Sequence, residues 1–488
     1  MDMENVATWF TIAMFLITLV AIKIARGKTS SHLLSTRSRP PSVNAIALLY
    51  SLFSKGFGLP FVHDLYTRFG SVFTINLFGA NITLLVGPNI SAHLFQGLES
   101  EISIGNLNDL TIPMFGQEVL YGVDTAIRSE QINFMVDALK LSQLRSFINP
   151  MFEEVEAYFV KWGQDGMVDL KHELEQLLMF ISSRCLLGYE LHAMHEEIYS
   201  LFHELEKGVN IVSFFFPYFP TPTNRRRDKA HARLKEIFST IVRSRRSLCS
   251  SQAEEDVLQR LIDSKYKDGR SVTEEEISGM MIALTFAAKR TSAHTSIWTG
   301  ARLLSNTESL MAALKEQMHI ISKYENQIGY DAFLEMDTLH RCIKETLRMH
   351  TPAPVLFRKA HETFRVQTKE GKEYDIPGGH NVVIPTALNH KLPCIYKDPE
   401  AYDPDRFALG REEDKVGGKY SFTSFGGGRH FCPGMSFAYL QIKVIWSHLL
   451  RNFEFKIISP FPKTDWRNLG GEPKGKLMIS YKRRQLMC

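Results

Sequence analysis

The chain has 488 residues, 44% hydrophobic and 23% charged, so it can bury a large core and is not a disordered segment. Its formal charge of +4 is small and argues for neither nucleic-acid binding nor an acidic substrate. Six cysteines (Cys185, Cys249, Cys342, Cys394, Cys432 and Cys488) form no close pair, which excludes zinc-finger spacing and a disulfide framework and fits a reducing compartment.

Val6 to Ile22 is almost uninterrupted apolar, preceded by Asp2 and Glu4 and followed by Lys23, Arg26 and Lys28. That length is close to a bilayer span, and the cationic flank leaves the following body in the cytosol. A cleaved signal would carry its positive charge ahead of the apolar run. The sequence therefore predicts a single-pass membrane anchor over 1–25 and a basic, proline-bearing linker over 26–43. One body follows over 44–488.

Within the body, Ser71 to Leu77 and Ile82 to Val86 read as a hairpin turning at Gly79-Ala80-Asn81. From Gln117 onward three-and-four spacing predicts helices over Phe152–Trp162, Leu170–Leu187 and Glu196–Lys207. The class expected is mainly α with a small β region. Phe214-Phe-Phe-Pro-Tyr-Phe-Pro220, followed by Arg225-Arg-Arg227, fits either a loop dipping into membrane lipid or a proline-bounded core loop. Thr273-Glu-Glu-Glu276 is a capping box that opens a long helix running to Leu303. Lys289 and Arg290 interrupt its apolar middle, so a cavity, water or a counter-charge is expected there, unless both face solvent.

Met336 to Met349 is a further helix that places Glu345 and Arg348 on one face. Arg406, in Asp403-Pro-Asp-Arg-Phe407, can join them in a buried network. Then comes Phe425-Gly-Gly-Gly-Arg-His-Phe-Cys-Pro-Gly434, with an apolar helical pattern from Met435 to Phe453. Glycines let the backbone approach a flat group closely. A cysteine just ahead of a helix has the helix dipole to favour its thiolate, although a buried structural cysteine is the plain alternative.

Phe425, Gly428, Cys432 and Gly434 fill the F-x-x-G-x-x-x-C-x-G positions of haem-thiolate monooxygenases. With Thr291, Glu345, Arg348 and Arg406 ahead of them in order, the chain resembles the cytochrome P-450 superfamily. Gly371–Pro377, Tyr402–Phe407, Gly410–Asp414, Phe437–Ile442 and Ile127–Gln131 are similar to plant sterol 14α-demethylases. The resemblance implies haem b with Cys432 as iron ligand, and His430, Arg358 and Tyr121 at the propionates. Phe425 and Gly428 would shape the cradle, and Thr291 would support oxygen activation. It also implies O2 and electrons from a separate NADPH-cytochrome reductase, an apolar substrate taken from the bilayer, and an endoplasmic-reticulum location.

The chain departs from that family where substrate and oxygen would sit. Ala287-Ala-Lys-Arg-Thr-Ser292 stands in place of A-G-Q-H-T-S, so Arg290 replaces the histidine of proton delivery. An arginine does not give up and regain a proton near neutrality; it can only order water or an acid. Asn108, Leu110 and Phe115, with Ala287, are the substrate-facing candidates. Gly122 replaces an aspartate, and Asn133 a basic residue. Oxidation of a polycyclic triterpene is the expected activity. Sterol 14α-demethylation is the alternative, and a haem-containing lipid-binding protein without turnover is a third reading.

Overall fold

The structure is a computed structural model that describes residues 39–44, 47–48, 50–51, 58–77, 80–105, 107–210, 212–213, 216–247, 256–325, 328–466 and 470–485. The expected anchor over 1–25 and most of the linker lie outside them. Among the described residues no helix is long and apolar enough to cross a membrane. The chain divides into two compact units, residues 1–103 with 357–384, and residues 104–356 with 385–488.

The first unit is built on a sheet of β1 (Ser42–Val43), β2 (Val72–Leu77), β3 (Ala80–Leu85), β4 (Ile102–Ser103), β5 (Leu356–Ala360) and β8 (Asn381–Ile384), in the order β1-β2-β3-β8-β5-β4. A separate ribbon pairs β6 (Phe364–Gln367) with β7 (Glu373–Ile376). Helices α1 (Leu59–Phe69) and α2 (Pro88–Gln96) complete the unit. The expected hairpin is present, but Ala80 and Asn81 extend β3 instead of turning. Its register is set by buried Thr74 opposite Thr83, whose hydroxyls meet at 2.9 Å. Slipping by one residue would turn both faces of the strand over.

The second unit is helical. Its main helices are α3 (Leu107–Phe115), α4 (Thr125–Ala138), α5 (Ile148–Phe159), α6 (Leu170–Leu187), α7 (His195–Lys207), α8 (Pro222–Ser247), α9 (Glu274–Ser305), α10 (Thr307–Tyr324), α11 (Tyr330–Glu335), α12 (Asp337–Met349) and α13 (Met435–Asn452). The helix expected at Phe152–Trp162 starts and ends earlier, because Trp162 leaves it to stack on Tyr481 with ring centroids 4.4 Å apart. Residues Asp165–Asp169, Phe453–Ile457 and Met478–Arg483 form a three-stranded antiparallel sheet.

The long helix α9 begins as its capping box requires: Thr273 accepts the Glu276 N–H, and Glu276 accepts the Thr273 N–H. Most of α9 is buried, against α6, α8, α12 and α13. At its C-terminal half Trp446 of α13 lies fully buried and donates its indole N–H to Ser296. The helices come that close only because residue 300 is glycine; a Cβ there would stand 2.6 Å from the Trp446 ring.

Candidate functional site

Cys432 lies in the turn between a 3-10 segment (Gly428–His430) and α13. Its N–H donates to the carbonyl of Phe425 at 2.9 Å, closing the loop on itself. Gly426 and Gly428 hold φ of 72° and 62°, the left-handed region that costs a side chain strain. A Cβ on Gly426 would press to 3.0 Å from the His430 carbonyl. Thus at least two of the three consecutive glycines are required by the path of the loop.

Burial pushes the Cys432 thiol up, and the Gly434 N–H offsets only part of that. A bound cation would deprotonate such a sulfur outright.

A cavity of about 320 Å³ in the second unit is lined by Cys432, Phe425, Gly426 and His430 from the loop. From α9 it is lined by Leu284, Ala287, Ala288, Thr291, Ser292 and Thr295. Thr291 Oγ1 donates to the Ala287 carbonyl at 2.8 Å. That bond uses the hydroxyl proton and leaves the oxygen to accept from the cavity. The side chain is exposed into that space. The long helix and the cysteine loop therefore face one chamber, with Thr291 and Cys432 both in its wall.

Among the described residues no three His, Cys, Asp or Glu converge on a metal position. A metal held at Cys432 must bring its other donors with it, as a porphyrin does. The small side chains Ala287, Ala288, Gly426 and Gly434 around that single sulfur fit such a flat group.

Lys289 and Arg290 do not line the cavity. Lys289 is 2% exposed, and its ammonium meets both carboxylate oxygens of Glu206 on α7, at 2.8 and 2.9 Å. Of the three explanations for a charged interruption, the counter-charge is the one found. Burial alone would raise the Glu206 carboxyl; His203 and Lys289 outweigh it and bring the group below its usual range. Arg290 points to Glu472, 3.3 Å away, and stands apart from the Thr291 side of the helix. Consecutive residues on a helix diverge by about 100°. The residue expected to replace a proton-delivering histidine is thus turned towards Glu472.

The remaining sequence candidates separate. Ala287 lines the cavity. Phe115 packs edge-on against Phe286 with centroids 5.6 Å apart, and buried Leu110 is absent from the cavity wall. The side chain of Asn108 is outside the described residues. Tyr121 sits under the buried guanidinium of Arg128, 5.7 Å from ring centroid to carbon. Its turn is fixed by Gln131, whose amide oxygen accepts the Leu120 N–H at 2.7 Å. Gly122 has a local reason: a Cβ there would clash at 2.2 Å with the Gln117 carbonyl. Arg358 belongs to the first unit, where it is buried on β5 and donates to the Phe357 carbonyl at 2.7 Å. Asn133 is exposed on α4.

The network expected from Glu345, Arg348 and Arg406 is formed and fully buried. Arg348 grips Glu345 with two bonds of 2.7 and 2.8 Å, and Arg406 reaches the same carboxylate at 3.0 Å. A fourth member, Glu413, accepts from Arg406 at 2.5 Å. Sequence reasoning missed it: nothing in the spacing of Gly410–Asp414 said that one of its acids would turn inward. Arg348 also donates to the His390 carbonyl at 2.8 Å.

At the surface, Phe216, Tyr218 and Phe219 are exposed. Phe214 and Phe215 lie outside the described residues. The basic cluster beside them is divided. Arg226 pairs with Glu204 at 2.9 Å, and Arg227 is fully buried with its guanidinium on the Pro217 carbonyl at 2.9 Å. Arg227 is a structural clamp for this loop, not a headgroup ligand.

Residues 40–478 match the family model of cytochrome P450. The chain is 48% identical over 451 residues to the obtusifoliol 14-alpha demethylase of Sorghum bicolor, covering 92% of this chain and 91% of that one. It is 47% identical over 450 residues to the sterol 14-demethylase of Arabidopsis thaliana, covering 92% of each chain. Against the lanosterol 14-alpha demethylase of Mus musculus the identity is 34%, over 87% of this chain and 84% of that one. Among solved structures, a cyanobacterial CYP120A1 with retinoic acid bound shares the fold, with a TM-score of 0.79 at 21% identity, covering 92% of this chain and all of that one.

Proposed function

The chain belongs to the cytochrome P450 family, a monooxygenase that uses haem b, O2 and reductase-derived electrons, and we propose that within it the chain removes the 14α-methyl group of a sterol by successive oxidations. The observation that carries this reading is the shared chamber of Thr291 and Cys432, together with identity of 48% to an obtusifoliol 14-alpha demethylase across nine-tenths of both chains. When bound, the haem supplies the O2 activation that puts one oxygen atom into a C–H bond.

The chain's own residues have separable tasks in this reading. Cys432 holds the iron. His430 and Tyr121 would hold the propionates, and Arg128 would join them as the buried cation on Tyr121. Thr291 keeps its proton on the Ala287 carbonyl and accepts a water, whose proton it steers into the chamber. Apolar Leu284 and Ala287 exclude bulk water around the substrate. Glu345, Arg348 and Arg406 fix the chain that leads to the cysteine loop. An anchor over 1–25 holds the body at the endoplasmic-reticulum membrane, with Phe216, Tyr218 and Phe219 at the lipid surface.

One observation favours a second reading, oxidation of a polycyclic triterpene. Ala288 puts a methyl into the chamber wall where the sterol demethylases carry glycine, and Arg290 takes the histidine position but faces Glu472. The test is product analysis in yeast microsomes with a plant reductase, fed obtusifoliol or β-amyrin. Loss of the 14α-methyl from obtusifoliol supports the first reading. An oxygenated β-amyrin with untouched obtusifoliol replaces it by the second. Substrate-induced spectral shifts without NADPH consumption would overturn both. Thr291→Ala should retain haem and lose turnover; unchanged, tightly coupled oxidation would remove Thr291 from the scheme.

A further inference from the structure

A second pocket, of about 400 Å³, adjoins the cysteine loop within the same unit. It shares Phe425, Gly426 and Tyr439 with the first cavity, but takes no residue from α9. Its own walls come from α11, α12 and α13, with Phe333, His340, Lys344 and Lys443. No carboxylate lines it, while two lysines and a histidine do. A concave apolar surface with a few converging polar groups is the usual form of a small-molecule site.

Lys443 is the unusual member. It is 7% exposed in the middle of α13, and its ammonium donates to the Phe333 carbonyl at 2.7 Å. That is its one hydrogen bond among the described residues, so donors remain available. The nearby acids are engaged elsewhere. Glu316 accepts the N–H groups of Thr338 and Leu339, at 2.5 and 3.0 Å. Asp414 holds Lys344 at 2.7 Å, and Asp337 is bound to Arg341 at 2.9 Å. Burial, opposed by Glu316 and Asp337, brings the Lys443 ammonium down to about 8. A desolvated cation of this kind gains most from an anion placed beside it. His340 packs on Tyr439 with centroids 4.4 Å apart, and its ring nitrogens make no hydrogen bond among the described residues. Phe431 and Leu334 are exposed at the rim.

We propose that this pocket binds a small apolar carboxylate, with its ring or chain between Phe333, Phe425 and Phe431 and its anionic end on Lys443. The site is distinct from the chamber of Thr291. It is coupled to the cysteine loop, because Phe425 lines the pocket and its carbonyl holds the Cys432 N–H.

The test uses the haem-loaded enzyme saturated with an azole that ligates iron, so that the first cavity is filled. Calorimetric titration with 4-phenylbutyrate should give saturable binding of one molecule. Its uncharged analogue 4-phenylbutanol should bind at least tenfold more weakly. Lys443→Gln retains a donor for the Phe333 carbonyl and removes the charge. It should lose tenfold or more in affinity for the acid and nothing for the alcohol, with an unaltered melting temperature. Equal affinity for acid and alcohol in the parent enzyme overturns the proposal. So does undiminished binding of the acid by folded Lys443→Gln, or an absence of saturable binding. Should Lys443→Gln fail to fold, the acid-to-alcohol ratio in the parent enzyme decides alone.

Discussion

The ring of His390 accepts the main-chain N–H of Thr423 at 2.9 Å, in a fully buried bond. Because the His390 carbonyl accepts from Arg348, this one residue joins the ion network to the chain running into Phe425 and Cys432. Burial, reinforced by Arg348, brings the imidazole down to about 3, so it remains a neutral acceptor across the working range. His390→Phe keeps the stacking on Phe422 and leaves the Thr423 N–H buried without its acceptor. The expected cost is about 1–3 kcal/mol. The measurement is thermal unfolding, with the red-displaced Soret band of the reduced carbon monoxide complex as readout of the loop. An intact melting temperature and an intact band would show that the link is dispensable.

Glu413 is the second prediction. It accepts from Arg406, from Arg411 at 2.7 Å and from the Lys397 N–H at 3.1 Å. Glu413→Ala should destabilise by about 1.5–3 kcal/mol, the usual range for bonds to a charged partner. Glu345→Ala should cost more, about 3–5 kcal/mol, since it strands two buried guanidinium groups. Denaturant unfolding ranks the two; the reverse order would mean that Glu413 anchors the network.

Lys289 and Glu206 supply the third. Lys289→Met leaves a buried carboxylate without its cation, and about 3–5 kcal/mol of destabilisation is expected. Lys289→Met with Glu206→Gln together should recover much of that loss. A double-mutant cycle measures it. Strict additivity would show that the ion pair contributes nothing.

The fourth concerns pH. Burial raises the Glu175 carboxyl above its ordinary value of 4.5, opposed by Lys171 and Lys289 and aided by Glu206 and Glu472. The folded protein therefore holds this proton more tightly than the unfolded chain. Stability from this group is lost as pH rises through the window above 4.5, so ionised Glu175 is a burden at neutral pH. Glu175→Gln should raise the melting temperature at pH 7.5, and the gain should shrink as pH is lowered towards 4.5. A gain independent of pH would assign the effect to packing.

Sequence alone carried the features that are local in the chain. The order of Thr291, Glu345, Arg348, Arg406 and Cys432 was legible through a family resemblance; the capping box at Thr273 and the helical periods of Leu170–Leu187 and Met435–Phe453 needed only spacing, although Phe453 itself opens a strand. Their meaning rests on short-range geometry, such as i to i+3 neighbours on a helix or glycines in a tight loop. Tertiary structure decided whatever depends on which face of an element meets which distant partner. Lys289 finds Glu206 across 83 positions, and His390 finds Thr423 across 33. The pocket around Lys443 is assembled from several helices and the cysteine loop. Such pairings follow from packing a whole core at once, and desolvation, which governs Cys432, Lys443 and Glu175, exists only after that core has closed.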